Sequence, residues 1–303
     1  MDSKQATILV CGATGFIGKR LVAALLGEGI AVRCMARKPS AGIPPDAETV
    51  IGDLLDISSL DRVFNGIETA YYLVHAMSGE RAGFEQRDRQ AAENFVAYAQ
   101  KNGVRRVIYL GGLGEEGDTL SEHLASRLEV AKILKSGAYQ TTYLRAAVII
   151  GAGGASFEMI RSLVEWLPVM ITPRWVSTRC QPIAVGDVVA YLVGCLKDER
   201  TAGKTYDIGG SELLSYREMM ERFAEIRQKH ITIFPVPFLT PKLSSYWVGL
   251  ITPVKPSISM PLIEGLGNEV ICHDNEIRNI LPIPLTTYDE AVKIALAEET
   301  PGS

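Results

Sequence analysis

Residues 8–18 read Ile-Leu-Val-Cys-Gly-Ala-Thr-Gly-Phe-Ile-Gly, three glycines at a spacing of three between an apolar run and a segment with helical apolar spacing. Glycines alone would say little. Here an apolar strand precedes them, a helix follows, and a second strand comes about 20 residues later, which is the context of a dinucleotide-binding βαβ unit. Gly12 is expected to make the turn, Gly15 to let the main chain approach a pyrophosphate, and Gly18 to let the helix close on the strand. The N-terminus of that helix would stabilise the phosphate charge.

The rest of the first half repeats the same alternation. Short runs rich in branched residues predict strands over Thr7–Val10, Ala31–Met35, Thr49–Ile51, Ala70–Val74, Arg106–Leu110 and Thr142–Ile150. Between them, apolar positions three and four apart predict helices over Phe16–Leu26, Ser58–Phe64, Phe84–Lys101 and Ser121–Lys135. This is the pattern of a doubly wound α/β domain with a parallel sheet. After Gly151 it gives way to helices at Phe157–Trp166, Gly186–Leu196 and Tyr216–Gln228, with short strands at Tyr206–Ile208 and Ile231–Phe234. Pro235, Pro237, Pro241, Pro253, Pro256 and Pro261 then exclude a long helix. The expectation is a nucleotide-binding domain over 1–150 and a substrate-binding cap over 151–303, partly interleaved with it.

Charge and cysteine usage narrow the function classes. With 31 Lys and Arg against 35 Asp and Glu, the formal charge is -4, so no nucleic-acid partner is expected. Cys11, Cys34, Cys180, Cys195 and Cys272 are odd in number and lack a C-x-x-C pair, which favours reduced thiols over disulfides or a structural zinc. No run approaches the roughly 18 apolar residues of a spanning helix, and the N-terminus lacks a secretory pattern. A cytoplasmic protein without a transmembrane segment is expected; a peripheral membrane contact stays open, as does the oligomeric state.

The second strand ends in Arg37-Lys38, and the only acid between Gly18 and Asp46 is Glu28. Two cations stand where an NAD site usually carries an acid for the ribose 2′-hydroxyl, so the pattern predicts NADP(H) in preference to NAD(H), with Arg37 the stronger phosphate ligand. Further contacts are expected from the loops after the third and fourth strands. Asp53 and Leu54 lie towards an adenine, and Val74, His75 and Ala76 towards the nicotinamide ribose. Asp53 reads equally as a turn residue and His75 as a buried structural histidine. The backbone of Ala13, Thr14, Phe16 and Ile17 completes the phosphate loop.

These motifs, GATGFIG at 12–18, GDLLD at 52–56, YLGG at 109–112, LRAAVIIG at 144–151 and QPIAVGDVV at 181–189, resemble the short-chain dehydrogenase/reductase superfamily in its extended and atypical branches. The likeness is greatest to bacterial NAD(P)H-binding proteins of the predicted nucleoside-diphosphate-sugar epimerase type, with similarity to NmrA-like and complex I accessory-subunit types. It runs nearly the whole chain, including SSYWVGLITPV at 244–254. The resemblance implies a Rossmann fold and a Tyr-x-x-x-Lys catalytic pair, yet none of the eleven tyrosines is followed four residues later by lysine. The usual Ser or Thr after the fifth strand is replaced by Gly111-Gly112-Leu113-Gly114.

At the place of that pair stands Ser121-Glu122-His123-Leu124-Ala125-Ser126-Arg127, where His123 and Arg127 share a helix face. His123 is the candidate general acid or base, and Arg127 the candidate partner for ribose hydroxyls or a polar substrate group. On the substrate side, Phe157, Met159, Ile160, Leu163, Trp166, Leu167, Val169, Met170 and Trp175 form an apolar set. Arg161, Arg174 or Arg179 would meet a substrate carboxylate or phosphate, and Tyr246-Trp247 would form a lid. Arg145, Gln181 and Asp187 are further cleft candidates, Asp187 also reading as a helix cap. Gly151-Ala152-Gly153-Gly154 reads as a flexible crossing into the cap. Together these residues point to hydride transfer onto a small hydrophobic carbonyl, quinone or enone. A non-catalytic NADP(H)-sensing or accessory protein and a nucleotide-sugar epimerase or dehydratase are the alternatives.

Overall fold

The computed structural model describes residues 7–74, 83–113, 122–236 and 268–299. In chain order the first half forms β1 (Ile8–Cys11), α1 (Phe16–Gly27), β2 (Val32–Ala36), β3 (Glu48–Ile51), α2 (Leu60–Phe64), β4 (Thr69–Tyr72), α3 (Phe84–Lys101), β5 (Arg106–Gly112), α4 (Glu122–Lys135) and β6 (Gln140–Ala146). The second half adds β7 (Ile149–Ile150), α5 (Ala155–Trp166), β8 (Val169–Thr172), β9 (Arg179–Cys180), β10 (Ile183–Ala184), α6 (Val185–Lys197) and β11 (Thr205–Ile208). It continues with β12 (Leu214–Ser215), α7 (Tyr216–Ile226), β13 (Thr232–Pro235), α8 (Glu276–Ile280) and α9 (Tyr288–Glu299).

Seven strands form one sheet in the order β3-β2-β1-β4-β5-β6-β11, and every neighbouring pair is parallel. This is the doubly wound arrangement expected from the sequence. Its order reverses between β1 and β4, so the crevice for a ligand opens at the carboxyl ends of those strands. All residues of β1 and β2 are buried because helices cover both faces, which is why these strands read as unbroken apolar runs. On one face Leu21, Val22 and Leu25 of α1 share a cluster with Val188, Leu192 and Cys195 of α6. On the other, Phe64, Phe95, Tyr72, Tyr109 and Tyr143 form a continuous chain of ring contacts with centroids 4.9–5.9 Å apart.

The apolar stretch 142–150 does not form one strand. β6 ends at Ala146, and Ile149–Ile150 pairs with Ile183–Ala184 in a separate two-stranded sheet. Hydrophobicity marks both pieces as buried but carries no signal for the change of partner. The short strand expected near Tyr206–Ile208 becomes the seventh strand of the main sheet, with Asp207 opposite Arg145. The cap has its own core, in which Phe157, Met219, Met220, Phe223 and Val292 bring α5, α7 and α9 together. α7 begins with a reciprocal cap: the Glu218 N–H donates to Ser215 Oγ, and the Ser215 N–H donates to the Glu218 carboxylate.

Candidate cofactor-binding site

The glycine loop has the shape its spacing predicts. Gly12 adopts φ +91°, and a Cβ there would lie 2.5 Å from the Leu73 carbonyl oxygen. The loop therefore fits against the end of β4, which the Leu73 N–H joins to the Cys11 carbonyl at 2.9 Å. The Gly15 N–H closes the turn onto the Gly12 carbonyl at 2.9 Å. Gly15 is also the N-cap of α1, with no side chain capping the helix, and both Thr14 and Gly15 are exposed. The backbone N–H groups of the first turn thus face an open position suited to an anion. Ala13 is buried and can offer a ligand only its main chain.

Arg37 and Lys38 are exposed directly after β2, and among the described residues neither has an ion-pair partner. The Gly52 N–H donates to the Ala36 carbonyl at 3.0 Å, which brings the start of the Asp53 loop beside this cationic pair. A Cβ on Gly52 would strike a Val63 methyl at 2.5 Å, so glycine is what permits the approach. Asp53 Oδ1 accepts the Leu55 N–H at 3.0 Å and its own N–H donates to Ser59 Oγ at 3.0 Å. One carboxylate oxygen is therefore engaged in the turn. Leu54 is buried, Val74 is half-buried at the rim, and His75 and Ala76 lie outside the described residues.

The crossing after β7 is a hydrogen-bonded turn that packs against the nucleotide helix. The Gly154 N–H donates to the Gly151 carbonyl at 3.0 Å, and a Cβ on Gly154 would lie 2.8 Å from Phe16 Cζ. Arg20 fastens the same junction by donating to the carbonyls of Phe16 and Ala152, each at 3.0 Å, and pairing with Glu298 of α9. The sequence reasoning missed this arginine. Its available signal was the position four residues after Phe16, on the same face of α1.

On the catalytic side, His123 lies in the first turn of α4, with its side chain outside the described residues. Arg127 is half-buried on the same helix. Most other candidates serve the fold. Arg161 pairs with Glu158 at 2.6 Å and with Glu299, so it meets carboxylates of its own chain rather than of a substrate. Arg145 pairs with the buried Asp207 at 2.7 Å, and Asp207 also accepts the His273 N–H. Gln181 bridges the Gly210 carbonyl and the Cys272 N–H. Asp187 does not cap its own helix: its two oxygens accept the N–H and hydroxyl of Thr286, both at 2.9 Å. Arg179 is exposed on β9; the side chains of Arg174 and Trp175, and the pair Tyr246-Trp247, lie outside the described residues. Of the apolar set, Phe157, Met159, Ile160 and Met170 are core, whereas Trp166 and Val169 are exposed.

Residues 12–160 match the NAD(P)H-binding family. Among curated relatives, a mitochondrial NADH dehydrogenase [ubiquinone] 1 alpha subcomplex subunit 9 of Arabidopsis thaliana is 24% identical, over 92% of this chain and 75% of that protein. A 3 beta-hydroxysteroid dehydrogenase/Delta 5-->4-isomerase of Mycobacterium tuberculosis is 34% identical, over 36% of this chain and only 32% of that protein. Among solved structures, the Citrobacter sp. triphenylmethane reductase complexed with NADP(H) superposes with a TM-score of 0.76 at 18% identity, covering 95% of this chain and 99% of that one. Residues 12–160 thus carry an NAD(P)H-binding domain, and the glycine loop and strand order give it a Rossmann-type architecture.

Proposed function

We propose that this protein is an NADP(H)-dependent oxidoreductase that delivers hydride to a small hydrophobic carbonyl, quinone or enone. The observation that carries the nucleotide preference is the exposed Arg37-Lys38 pair, without an acidic partner among the described residues, beside the loop that holds Asp53. The 2′-phosphate would lie there, and the pyrophosphate would lie on the main chain of Gly12 to Gly18. The nicotinamide ribose would lie by Val74, His75 and Ala76. Bound NADP(H) supplies the hydride, while the chain holds the nucleotide, orients the acceptor and excludes water. His123 is proposed to give a proton to the acceptor oxygen or carbon, with Arg127 orienting it. An arginine, unlike the family's lysine, keeps its charge throughout and so acts by position. Residues 1–150 would form the nucleotide-binding half and 151–303 the substrate cap.

A hydrophobic acceptor fits the relatives, whose names include a steroid dehydrogenase and a triphenylmethane reductase. Buried thiols fit a reducing compartment, the cytoplasm. The missing Tyr-x-x-x-Lys pair, together with likeness to a complex I subunit, favours one second reading, a non-catalytic NADP(H)-binding accessory protein. Fluorescence titration with NADPH and NADH, followed by quinones, enones and aldehydes added to the NADPH complex, separates the two. Acceptor-dependent NADPH oxidation that falls in His123→Ala establishes the oxidoreductase. Tight binding with no oxidation establishes the accessory protein, and binding of neither nucleotide overturns both.

A further inference from the structure

We propose that the outward face of the β8–β13 ribbon, with Trp166 at its rim, seats on the surface of a lipid bilayer. Among the described residues the two strands pair only with each other, in parallel, with Val169 opposite Thr232 and Ile171 opposite Phe234. Their alternate residues Met170 and Ile233 point into the cap core. The other face turns Val169, Ile171 and Phe234 outward, 57%, 66% and 53% exposed, and Trp166 ends the preceding helix 71% exposed. Isolated exposed apolar residues are ordinary, but a contiguous set on one sheet face marks a contact surface.

The edges and rim of the ribbon identify the occupant. Pro168 and Pro173 flank β8, Pro235 ends β13, and Pro237 follows in sequence. Proline blunts strand addition, so a second copy cannot readily extend the ribbon and the flat face remains as the contact. An exposed tryptophan beside aliphatic residues, with Arg227, Lys229 and His230 exposed close by in sequence before β13, is the composition of a protein surface at a membrane interface. Arg227 pairs with Glu165, the Lys229 ammonium donates to the Glu165 carbonyl, and Glu225 lies one turn earlier, so cations and acids largely balance. Attachment is therefore through apolar burial and does not require anionic lipid. Among the described residues no helix is long and apolar enough to cross a membrane. α5 has 12 residues and runs from the glycine turn against Phe16 to Trp166, so it spans about 18 Å between the nucleotide helix and this face.

The test is flotation of the full chain with phosphatidylcholine vesicles, with and without phosphatidylserine, for wild type, Trp166→Ser and the double variant Ile171→Asp/Phe234→Asp. Wild type should float with both vesicles, and the double variant should lose roughly tenfold or more in partitioning while its melting temperature stays unchanged. All three substituted positions are exposed, so the fold should be retained, and Trp166→Ser gives an intermediate loss without adding charge. Flotation that needs phosphatidylserine, no flotation at all, or equal flotation of the double variant overturns the proposal. So does a lipid-free dimer that Ile171→Asp converts to monomer, since the face would then belong to a second copy. None of these readouts depends on nucleotide binding, so the proposal and the cofactor assignment fail separately.

Discussion

Gly18 stands so close to Gly12 that a Cβ on it would lie 2.0 Å from the Gly12 carbonyl oxygen and 2.9 Å from Ala13 Cα. Both obstacles are backbone of the phosphate loop, so a side chain at position 18 must push the loop away from α1. Gly18→Ala should destabilise the protein by about 1–3 kcal/mol and abolish nucleotide binding. Gly27 has open space around its Cβ position at the end of the same helix. Gly27→Ala should be neutral or stabilise by up to about 1 kcal/mol, with binding intact. Urea unfolding paired with NADPH titration reads both effects, and equal behaviour of the two variants would contradict the steric account.

Arg37→Glu places a carboxylate where the 2′-phosphate is proposed to lie. A charge-assisted contact contributes roughly 1.5–3 kcal/mol, so NADPH affinity should fall about tenfold to a hundredfold. NADH, which lacks that phosphate, should bind within a few-fold of its wild-type affinity. Parallel titrations of both nucleotides check this. A uniform loss of both would show that Arg37 supports the fold or the pyrophosphate instead.

The nucleotide half was legible because its determinants are local. The glycine spacing, the strand before it and the helix after it all lie within residues 8–27, and the steric need for Gly12 and Gly18 follows from contacts inside that stretch or with the neighbouring β4. The cap was less legible because its polar residues find partners far away in sequence. Arg161 read as a free cation for a substrate; Glu158, three residues before it, is a local partner, but the second partner, Glu299, is 138 residues later. Asp187 read as a helix cap because acids are common in first turns, yet it accepts from Thr286, 99 residues away. The link that Arg20 makes to the cap was hidden for the same reason: Ala152 and Glu298 reach it only through the fold. Tyr206–Ile208 read as a strand from its residues, while its place beside β6 depends on the crossover through α6.

Arg20 makes the mechanical link between nucleotide helix and cap, and its removal should be felt in both. Arg20→Met keeps much of the apolar stem over the Phe16 ring, where the guanidinium carbon sits 4.8 Å from the centroid, but removes every donor. Two carbonyls and the Glu298 carboxylate lose their partner, for a cost of about 1–3 kcal/mol in thermal or urea unfolding. Hydrogen exchange should speed up in the 151–154 turn and in the last turn of α9, with α7 unaffected. Unchanged exchange at the turn would show that Phe16 packing alone fixes the junction.

The five cysteines should behave as inert thiols in the native protein. All are free and four are buried; burial pushes the Cys34 and Cys195 thiols up to about 11 and the Cys180 thiol up to about 12. Cys272 is partly accessible, but burial and then the nearby Asp207 carboxylate push its thiol up to about 12. At pH 8 the thiolate fraction at each is negligible, so alkylation should be slow until the protein unfolds. Counting modified thiols by mass with and without urea tests this, and rapid labelling of Cys272 in the native state would contradict it.

The carboxyl pair Glu158 and Glu299 should give the protein a stability that declines as pH rises. Glu158 is pushed above the usual carboxylate range, first by burial and then by its hydrogen bond to Glu299, against the opposing pull of Arg161 and the Gly153 N–H. Because the folded value is raised, the folded state binds the proton more tightly than the unfolded chain does. The contribution is therefore complete below the ordinary glutamate range and is lost as pH climbs through the raised value. Glu158→Gln keeps a donor for Glu299 and an acceptor for the Gly153 N–H, whose bond to Glu158 Oε1 is 3.2 Å, without a charge to desolvate. Melting temperatures measured from pH 4 to pH 8 should fall more steeply with pH for wild type than for Glu158→Gln, by a margin on the order of 2–4 °C for each 1 kcal/mol involved. Parallel curves would mean that Arg161 holds Glu158 ionised across the range, and that the glycine turn is anchored by an ordinary ion pair.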